Sequence, residues 1–308
     1  MAIRHLNRIV GLSVAALLAM PTQAHAQAST VGAMLNQLTT SWGGLPSLFS
    51  GAAYLLGLLF ATKGVFQFKD HVDNTGGKGD HSLSTGVKHF IAGGMLFSLP
   101  FMSSAVAGNL IGGSTSAVGF TNVHGDPGSG GLDEMVIKFI SDISSPATYM
   151  LTGFAYLSGM VLLITAIIRL TKTAQEGPRG PGGFGTIMTF IAAGSLFSLA
   201  QMIGIFSGSL FGTNVVNTYV NISTDVLPAS DAEIVAPVIE SLMIFIMIVG
   251  FIAFIRGWFV LKAFADGSQQ ATLAQGLTFL VGGALAINLG DLVNALQTTV
   301  GVSGITFQ

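Results

Sequence analysis

Apolar residues in this chain are gathered into six long stretches separated by polar segments. Each stretch is at least as long as the ~20 residues that an α-helix needs to cross a bilayer. Because backbone groups in lipid have no water to bond, each stretch is expected to be helical. Connection lengths pair the helices into three hairpins. The stretches cover residues 45–66, 90–111, 149–170, 184–211, 237–261 and 273–296.

The same apolar phrase occurs in two of the predicted hairpins. FIAGGMLFSLP at 90–100 and FIAAGSLFSLA at 190–200 agree at eight of eleven positions. Upstream, AYLLG at 53–57 matches AYLSG at 155–159, and FLVGGALAINL at 279–289 is a weaker third copy. The matches keep one register, which convergent membrane composition does not explain. We therefore predict that one two-helix unit has been triplicated.

The first 26 residues have the pattern of a secretory signal peptide. Arg4 and Arg8 precede an apolar run at 9–20, and Ala24 and Ala26 are the small residues that a signal peptidase reads. The run is too short to span the membrane as a mature helix. Cleavage after Ala26 is therefore predicted, with a retained first anchor as the alternative.

Charge predicts where the protein resides and how it is oriented. Only 8% of residues are charged and the mean hydropathy is +0.70, which is typical of a polytopic membrane protein. Nine Lys and Arg residues lie in the hairpin tips, whereas the opposite connections hold only Lys138. By the positive-inside rule the tips are cytoplasmic and both termini lie on the opposite side of the membrane. All three repeats then run parallel.

These boundaries predict a linear organisation. The first periplasmic connection includes an amphipathic helix at 132–143. Its apolar face is expected to lie on the external face of the membrane that the helices span. That face consists of Met135, Val136, Phe139, Ile140 and Ile143. The predicted segments are a signal peptide at 1–26, hairpin repeat 1 at 27–112, a connection at 113–148, hairpin repeat 2 at 149–212, a connection at 213–236, and hairpin repeat 3 with the C-terminal tail at 237–308.

Small residues recur four apart on the second helix of each hairpin. Such spacing places them on one face, where helix backbones can approach closely in lipid. We predict that these faces pack the hairpins, with docking of other subunits as the alternative. The residues are Ser104, Gly108, Gly112, Gly204, Gly208, Gly212, Gly282, Ala286 and Gly290. Pro100 is expected to kink its helix, and its counterpart Ala200 is not.

Polar residues within the predicted spans are few. Asn288 and Gln201 lie deep, whereas Glu240 and Asp291 are expected near the external ends, where carboxylates reach water. A coupled transporter needs charged groups in its spans, which weighs against that function. The chain lacks cysteine, a phosphate-binding loop and the motifs GxSxG and HExxH. We predict no enzyme, no cofactor and, without a basic run, no direct contact with nucleic acid.

The first hairpin tip is the most polar stretch, FQFKDHVDNTGGKGDHSLSTGVKH at 66–89. Its histidines and aspartates are types that bind metals, but their spacing fits no recognised site. A solvated loop is the preferred interpretation, with its basic residues near anionic lipid head groups.

One segment resembles a known family. AYLLGLLFATKGVFQFKDHVDN, followed by FIAGGMLFSLP, is similar to small inner-membrane proteins of type IVB secretion and conjugation systems, of the DotE/IcmC and TraQ kind. The resemblance covers residues 53–100, and hairpin two lacks the tip motif. It implies a subunit of a multiprotein machine, and makes Phe68, Lys69, His71, Asp73 and Asn74 candidates for partner docking. The matching residues are Tyr54, Gly57, Phe66, Phe68, Lys69, His71, Asp73, Asn74, Leu99 and Pro100.

Together these observations predict an all-α membrane protein with six transmembrane helices, arranged as three parallel-repeated hairpins after a cleavable signal peptide. The expected function is a structural, pilin-like inner-membrane subunit of a type IV secretion or conjugation apparatus. Its expected partners are membrane lipids and other secretion or conjugation subunits, in a homo- or hetero-oligomer. The alternative is a solute channel or transporter built from triplicated hairpins.

Overall fold

The structure is a computed structural model that describes residues 30–73, 83–107, 131–171, 183–212, 216, 219–223, 227–301 and 304–307, without the side chains of 104–107, 132 and 133. The predicted signal peptide, Asn74, Gly108 and Gly112 lie outside these residues. The elements are α1 (Val31–Trp42), α2 (Leu45–Asp73), α3 (Leu83–Ala107), α4 (Leu132–Thr171), α5 (Phe184–Phe197), α6 (Leu199–Phe211), β1 (Val220–Ile222), α7 (Ala229–Ala265), α8 (Leu273–Ile287), α9 (Leu289–Val300) and β2 (Ile305–Phe307).

Apolar helices long enough to cross a membrane dominate the described chain. Three segments qualify, Val31–Asp73, Glu134–Thr171 and Ala229–Ala265, and the number rises to five if each of two bent helix pairs forms one span. The protein is therefore an all-α membrane protein with three to five candidate spans. The predicted stretch 90–111 extends past the described end of α3.

Two helices that the sequence predicts as single rods are broken. α5 and α6 meet at Ser198 with a bend of 92°, and α8 and α9 meet at Asn288 with a bend of 79°. α3 continues through Pro100. The helix expected to be free of a kink at Ala200 is instead broken two residues before it. The Asn288 side chain donates to Ala284 O, a backbone acceptor of its own helix, which is consistent with a break at that residue.

The long helix α4 receives an N-terminal helix that the sequence analysis did not predict. The Asp142 carboxylate caps α1, accepting hydrogen bonds from Gly32 N at 2.7 Å and Thr30 Oγ1 at 2.9 Å. Such capping satisfies donors that a helix start leaves without partners. Ile137 and Ile140 are buried nearby, whereas Phe139, on the apolar face expected for 132–143, is half exposed.

Two predicted segment boundaries fall inside helices. The boundary at 148/149 lies within α4, and the boundary at 236/237 lies within α7. Pro146 and Pro237 are both contained in these helices without ending them. The predicted periplasmic connections therefore contribute helical turns directly to the following spans.

Hairpin one, which is α2 with α3, lies at the edge of the helix bundle. In the most apolar window of each candidate span, 11% of the first is buried, against 44% in α4 and 56% in α7. Its link to the body is a cluster in which Tyr156 stacks on Phe197 with ring centroids 4.8 Å apart. The Tyr156 hydroxyl donates to Ser103 O at 3.0 Å. Among the described residues, hairpin one is thus fixed to the body along the side that carries this cluster.

A short sheet closes the third helix pair. β1 and β2 are antiparallel, with Val220 opposite Phe307 and Ile222 opposite Ile305. The Asn294 side chain donates to Phe307 O at 2.7 Å and accepts from Phe307 N at 3.0 Å. These bonds satisfy backbone groups on the outer edge of β2, which an edge strand otherwise leaves open.

Candidate functional site at the helix crossings

The closest helix contact in hairpin one is made by two glycines. A Cβ placed on Gly57 of α2 would lie 2.7 Å from Phe97 N and 2.9 Å from Gly93 O. A Cβ on Gly93 of α3 would lie 2.6 Å from Ala61 N. All three distances are too short for a side chain, so the helices cross backbone to backbone. Dispersion contact at this separation stabilises helix pairs in lipid.

The other two hairpins cross in the same way. In the α4–α5 pair, a Cβ on Gly159 would lie 2.5 Å from Phe197 N and 2.9 Å from Ala193 O. In the α7–α8 pair, a Cβ on Gly250 would lie 2.9 Å from both Ile287 N and Gly283 O. The first-helix glycines of hairpins one and two each end the matching phrases AYLLG and AYLSG.

The predicted packing faces coincide with these crossings only in part. Gly204 and Gly290 are buried, Gly208 and Ala286 half-buried, and Gly212 and Gly282 exposed. Gly282 meets open space, while the neighbouring Gly283 makes the crossing. Gly212 instead ends α6 with φ of 74°, a left-handed conformation that favours glycine. The Ser104 side chain lies outside the described part. The sequence analysis missed the crossing glycines, although two of them end its repeated phrases.

The predicted docking tip begins as helix. Phe68, Lys69, His71 and Asp73 occupy the last turns of α2, so this part of the expected loop is ordered. Lys69 Nζ lies 3.8 Å from the Asp73 carboxylate, and both side chains are largely exposed. The Phe68 ring packs near Phe90 at 6.1 Å between centroids. The charged pair is therefore accessible, whereas Phe68 supports the hairpin.

Polar side chains are buried where hairpin three meets α6. Ser207 Oγ donates to Asn288 Oδ1 at 2.7 Å, and Asn288 Nδ2 donates to Ala284 O at 2.8 Å. Glu240 is 2% exposed and Asp291 8% exposed. The expectation that these two carboxylates reach water is therefore wrong. Burial in a low-dielectric interior strengthens each hydrogen bond and makes its loss costly.

Removing the Asn288–Ser207 bond is expected to destabilise the protein. Ser207→Ala leaves the buried Asn288 oxygen without this donor and should lower the free energy of unfolding by about 1–3 kcal/mol. Ser209→Ala is the control, because Ser209 lies on the same helix but bonds Ile205 O at the surface. Unfolding in detergent, followed by circular dichroism, measures both. Equal losses in the two variants would contradict the assignment.

One ion-pair network joins hairpins two and three. Arg169 bonds both Asp266 oxygens, at 2.6 and 3.3 Å, and Lys262 Nζ lies 2.7 Å from the same carboxylate. Arg169 also donates to Thr189 Oγ1 at 3.2 Å. Burial raises the pKa of the Asp266 carboxyl, but the hydrogen bonds and charges of Arg169 and Lys262 outweigh it, so that the pKa is lowered. The carboxylate is therefore ionised at neutral pH.

No three His, Asp or Glu side chains within the described ranges are grouped as a metal site requires. The chain matches no protein-family model, no curated protein and no solved structure. The resemblance of residues 53–100 to type IVB secretion proteins accordingly stays a prediction.

Proposed function

We propose that this chain is a structural, non-enzymatic subunit of a type IV secretion or conjugation apparatus in a bacterial inner membrane. The observation that carries the proposal is that hairpin one packs closely on itself while leaving a large apolar surface exposed. It packs tightly on itself through Gly57 and Gly93, yet among the described residues it joins the body along the side that carries the Tyr156 cluster. Its outer surface is apolar, and it exposes Leu55, Leu59, Phe66, Phe90, Ile91 and Phe101. A rigid apolar hairpin of this kind is suited to packing laterally against other subunits.

The finer arrangement proposed is six spans in three parallel hairpins after a cleaved signal peptide. The backbone crossing that recurs in α2–α3, α4–α5 and α7–α8 supports triplication of one unit. The bends at Ser198 and Asn288 fall five residues after Ala193 and Gly283. Within this proposal the tips are cytoplasmic, both termini are periplasmic, and the exposed Lys69–Asp73 pair is the docking point for another subunit.

Affinity purification with matched charge reversals tests the proposal. Native membranes carrying the tagged chain are solubilised gently, and co-purifying polypeptides are identified by mass spectrometry. We expect other multi-spanning secretion subunits and an ATPase with the wild type. Lys69→Glu should lower their recovery at least about tenfold, since like charges opposed at an interface cost several kcal/mol. Recovery of the chain alone would contradict the proposal.

Lys138→Glu is the control for this experiment. Lys138 and Lys69 have nearly the same side-chain exposure, 67% and 70%, and each pairs with an acidic residue four positions away. Lys138 lies on α4, in the segment predicted to be periplasmic. Equal loss of partners in both variants would show that general surface charge, and not the tip, governs assembly.

The alternative function is a solute channel or transporter, and one observation favours it. Broken helices that meet beside buried polar side chains, as α8 and α9 do at Asn288, occur in transporter binding sites. Flux through the purified chain in liposomes tests this alternative. Flux that Asn288→Leu abolishes would support it, and absence of flux would leave the structural function as the stronger proposal.

A further inference from the structure

Two basic residues occupy the same position on hairpins one and three. Lys63 on α2 directly precedes the buried Gly64, and Arg256 on α7 directly precedes the buried Gly257. Each of these glycines follows the crossing glycine of its helix by seven residues. Both basic side chains are exposed. Two exposed cations therefore recur at matching points of apolar helices, where a charge is unfavourable unless a counter-charge reaches it.

The Arg256 guanidinium is fixed in place by an aromatic ring. Its Cζ lies 4.8 Å from the centroid of Phe279 on α8. Stacking uses the face of the guanidinium, so its N–H donors remain directed outward from the edges. Arg256 makes no ion pair with any residue in the described ranges. The same two helices expose Ile252, Leu277 and Val281, so the surroundings supply no anion.

Lys63 lines an open groove on α2. The groove has a volume of about 420 Å³ and is formed by Leu59, Thr62, Lys63, Phe66, Gln67 and Asp70. Leu59 and Phe66 are each more than 60% exposed and give the groove apolar walls. Gln67 Oε1 is buried there without a hydrogen-bond partner. The groove thus combines a cation with apolar walls of the kind that acyl chains contact, alongside the Asp70 carboxylate.

The position of Arg256 along α7 determines which anion can reach it. Arg256 lies nine residues before the end of α7, which corresponds to about 14 Å along the axis. Lys262, closer to that end, is already paired with Asp266. A cation at such depth is stabilised when its long side chain reaches the phosphate layer, or when a phosphate moves toward it. Lipid phosphate is the anion present there at high concentration.

We propose that Lys63 and Arg256 bind the phosphates of anionic phospholipids in the leaflet that the hairpin tips enter. The lysine acts as a point charge, and the arginine forms a charge-assisted pair while it remains stacked on Phe279. Phosphatidylglycerol fits this chemistry, since its phosphate supplies the negative charge and its acyl chains can contact the apolar walls of the groove. The proposal requires insertion in a membrane but does not depend on any role in secretion.

Lipid binding by the full-length chain tests the proposal. The protein is reconstituted in nanodiscs of phosphatidylcholine alone or with one fifth phosphatidylglycerol, and bound lipid is counted by native mass spectrometry after release. We expect phosphatidylglycerol to be retained by the wild type. Lys63→Gln and Arg256→Gln should each weaken its retention about tenfold, the loss of one charge-assisted contact. The double variant should retain no excess over phosphatidylcholine.

Controls separate a specific site from general charge and from misfolding. Lys138→Gln removes an exposed cation from α4, in the segment predicted to be periplasmic, and should leave lipid retention unchanged. Arg256→Lys keeps the charge without the planar stack and should retain an intermediate amount. Thermal unfolding in pure phosphatidylcholine, unchanged by either glutamine variant, shows that the fold is intact. Equal retention by the wild type and the double variant, or an equal loss in Lys138→Gln, would overturn the proposal.

Discussion

One added methyl group at Gly283 is expected to destabilise the protein, whereas the same change at the adjacent Gly282 is not. A Cβ on Gly283 would lie 2.7 Å from Phe254 N and 2.8 Å from Gly250 O, which are backbone atoms that cannot rotate away. A Cβ on Gly282 meets nothing within 4 Å. Gly283→Ala should lower the free energy of unfolding by about 1–3 kcal/mol through overpacking. Gly282→Ala should be neutral or stabilise by up to about 1 kcal/mol, because alanine favours helix.

Chemical denaturation in mild detergent, followed by tryptophan fluorescence, measures this difference. Trp258 lies on α7 in a buried cluster with Phe254 and Ala284, beside the Gly283 crossing, and therefore reports on the packing of hairpin three. Hairpin one provides an independent repeat of the comparison, because Gly93 makes a crossing and Gly94 faces open space. Equal stability of the two alanine variants within each pair would contradict the backbone crossings.

Asp266→Asn is expected to weaken the junction between hairpins two and three. The substitution keeps the shape of the side chain but leaves Arg169 and Lys262 facing each other without the carboxylate. The groups are only about one quarter exposed, so the loss should reach about 1.5–3 kcal/mol, as for hydrogen bonds to charged groups. Asp73→Asn is the control, since its pair with Lys69 is largely exposed and should contribute less than about 1 kcal/mol.

The effect of Asp266 is also expected to depend on pH. Its folded pKa lies below the ordinary value of 3.8, so its contribution is present above that value and is lost as the pH falls through the folded pKa. The stability difference between the wild type and Asp266→Asn should therefore be constant near neutrality and shrink in acid. Denaturation midpoints across this range measure it. A difference that persists unchanged below pH 3 would exclude an ionised Asp266 as its cause.

The apolar pattern of the sequence was sufficient to predict the long helices but not the positions at which helices are broken. The helical runs of α2, α4 and α7 follow from apolar length alone. The bends at Ser198 and Asn288 carry no proline, and the proline that the sequence does offer, Pro100, sits in an unbroken helix. Such bends depend on neighbouring helices that supply or withhold hydrogen-bond partners. A pattern read along one helix does not contain those neighbours.

The predicted packing faces agree with the structure in residue type more than in position. Spacing by four selected Gly282, but tertiary packing uses Gly283, one residue away on a different face. The phrases AYLLG and AYLSG contain the crossing glycines of hairpins one and two, Gly57 and Gly159, yet sequence gives no distance between helices. Likewise, Glu240 and Asp291 seemed close to helix ends, but the turns of α7 and α9 around them keep both buried. Lys69 and Asp73, in the tip predicted to be solvated, are largely exposed in the structure.

The antiparallel pairing of β1 with β2 is expected to form late in folding. Helix hairpins form from residues close in sequence, so the three pairs can assemble as each enters the membrane. In the sequence, Val220 precedes and Phe307 follows the helices α7, α8 and α9. Their pairing must therefore close a loop that contains all three helices, at an entropic cost. The strands are consequently expected to join last and to separate first under mechanical or thermal load. The β1–β2 pairing thus stabilises hairpin three only after its helices have packed.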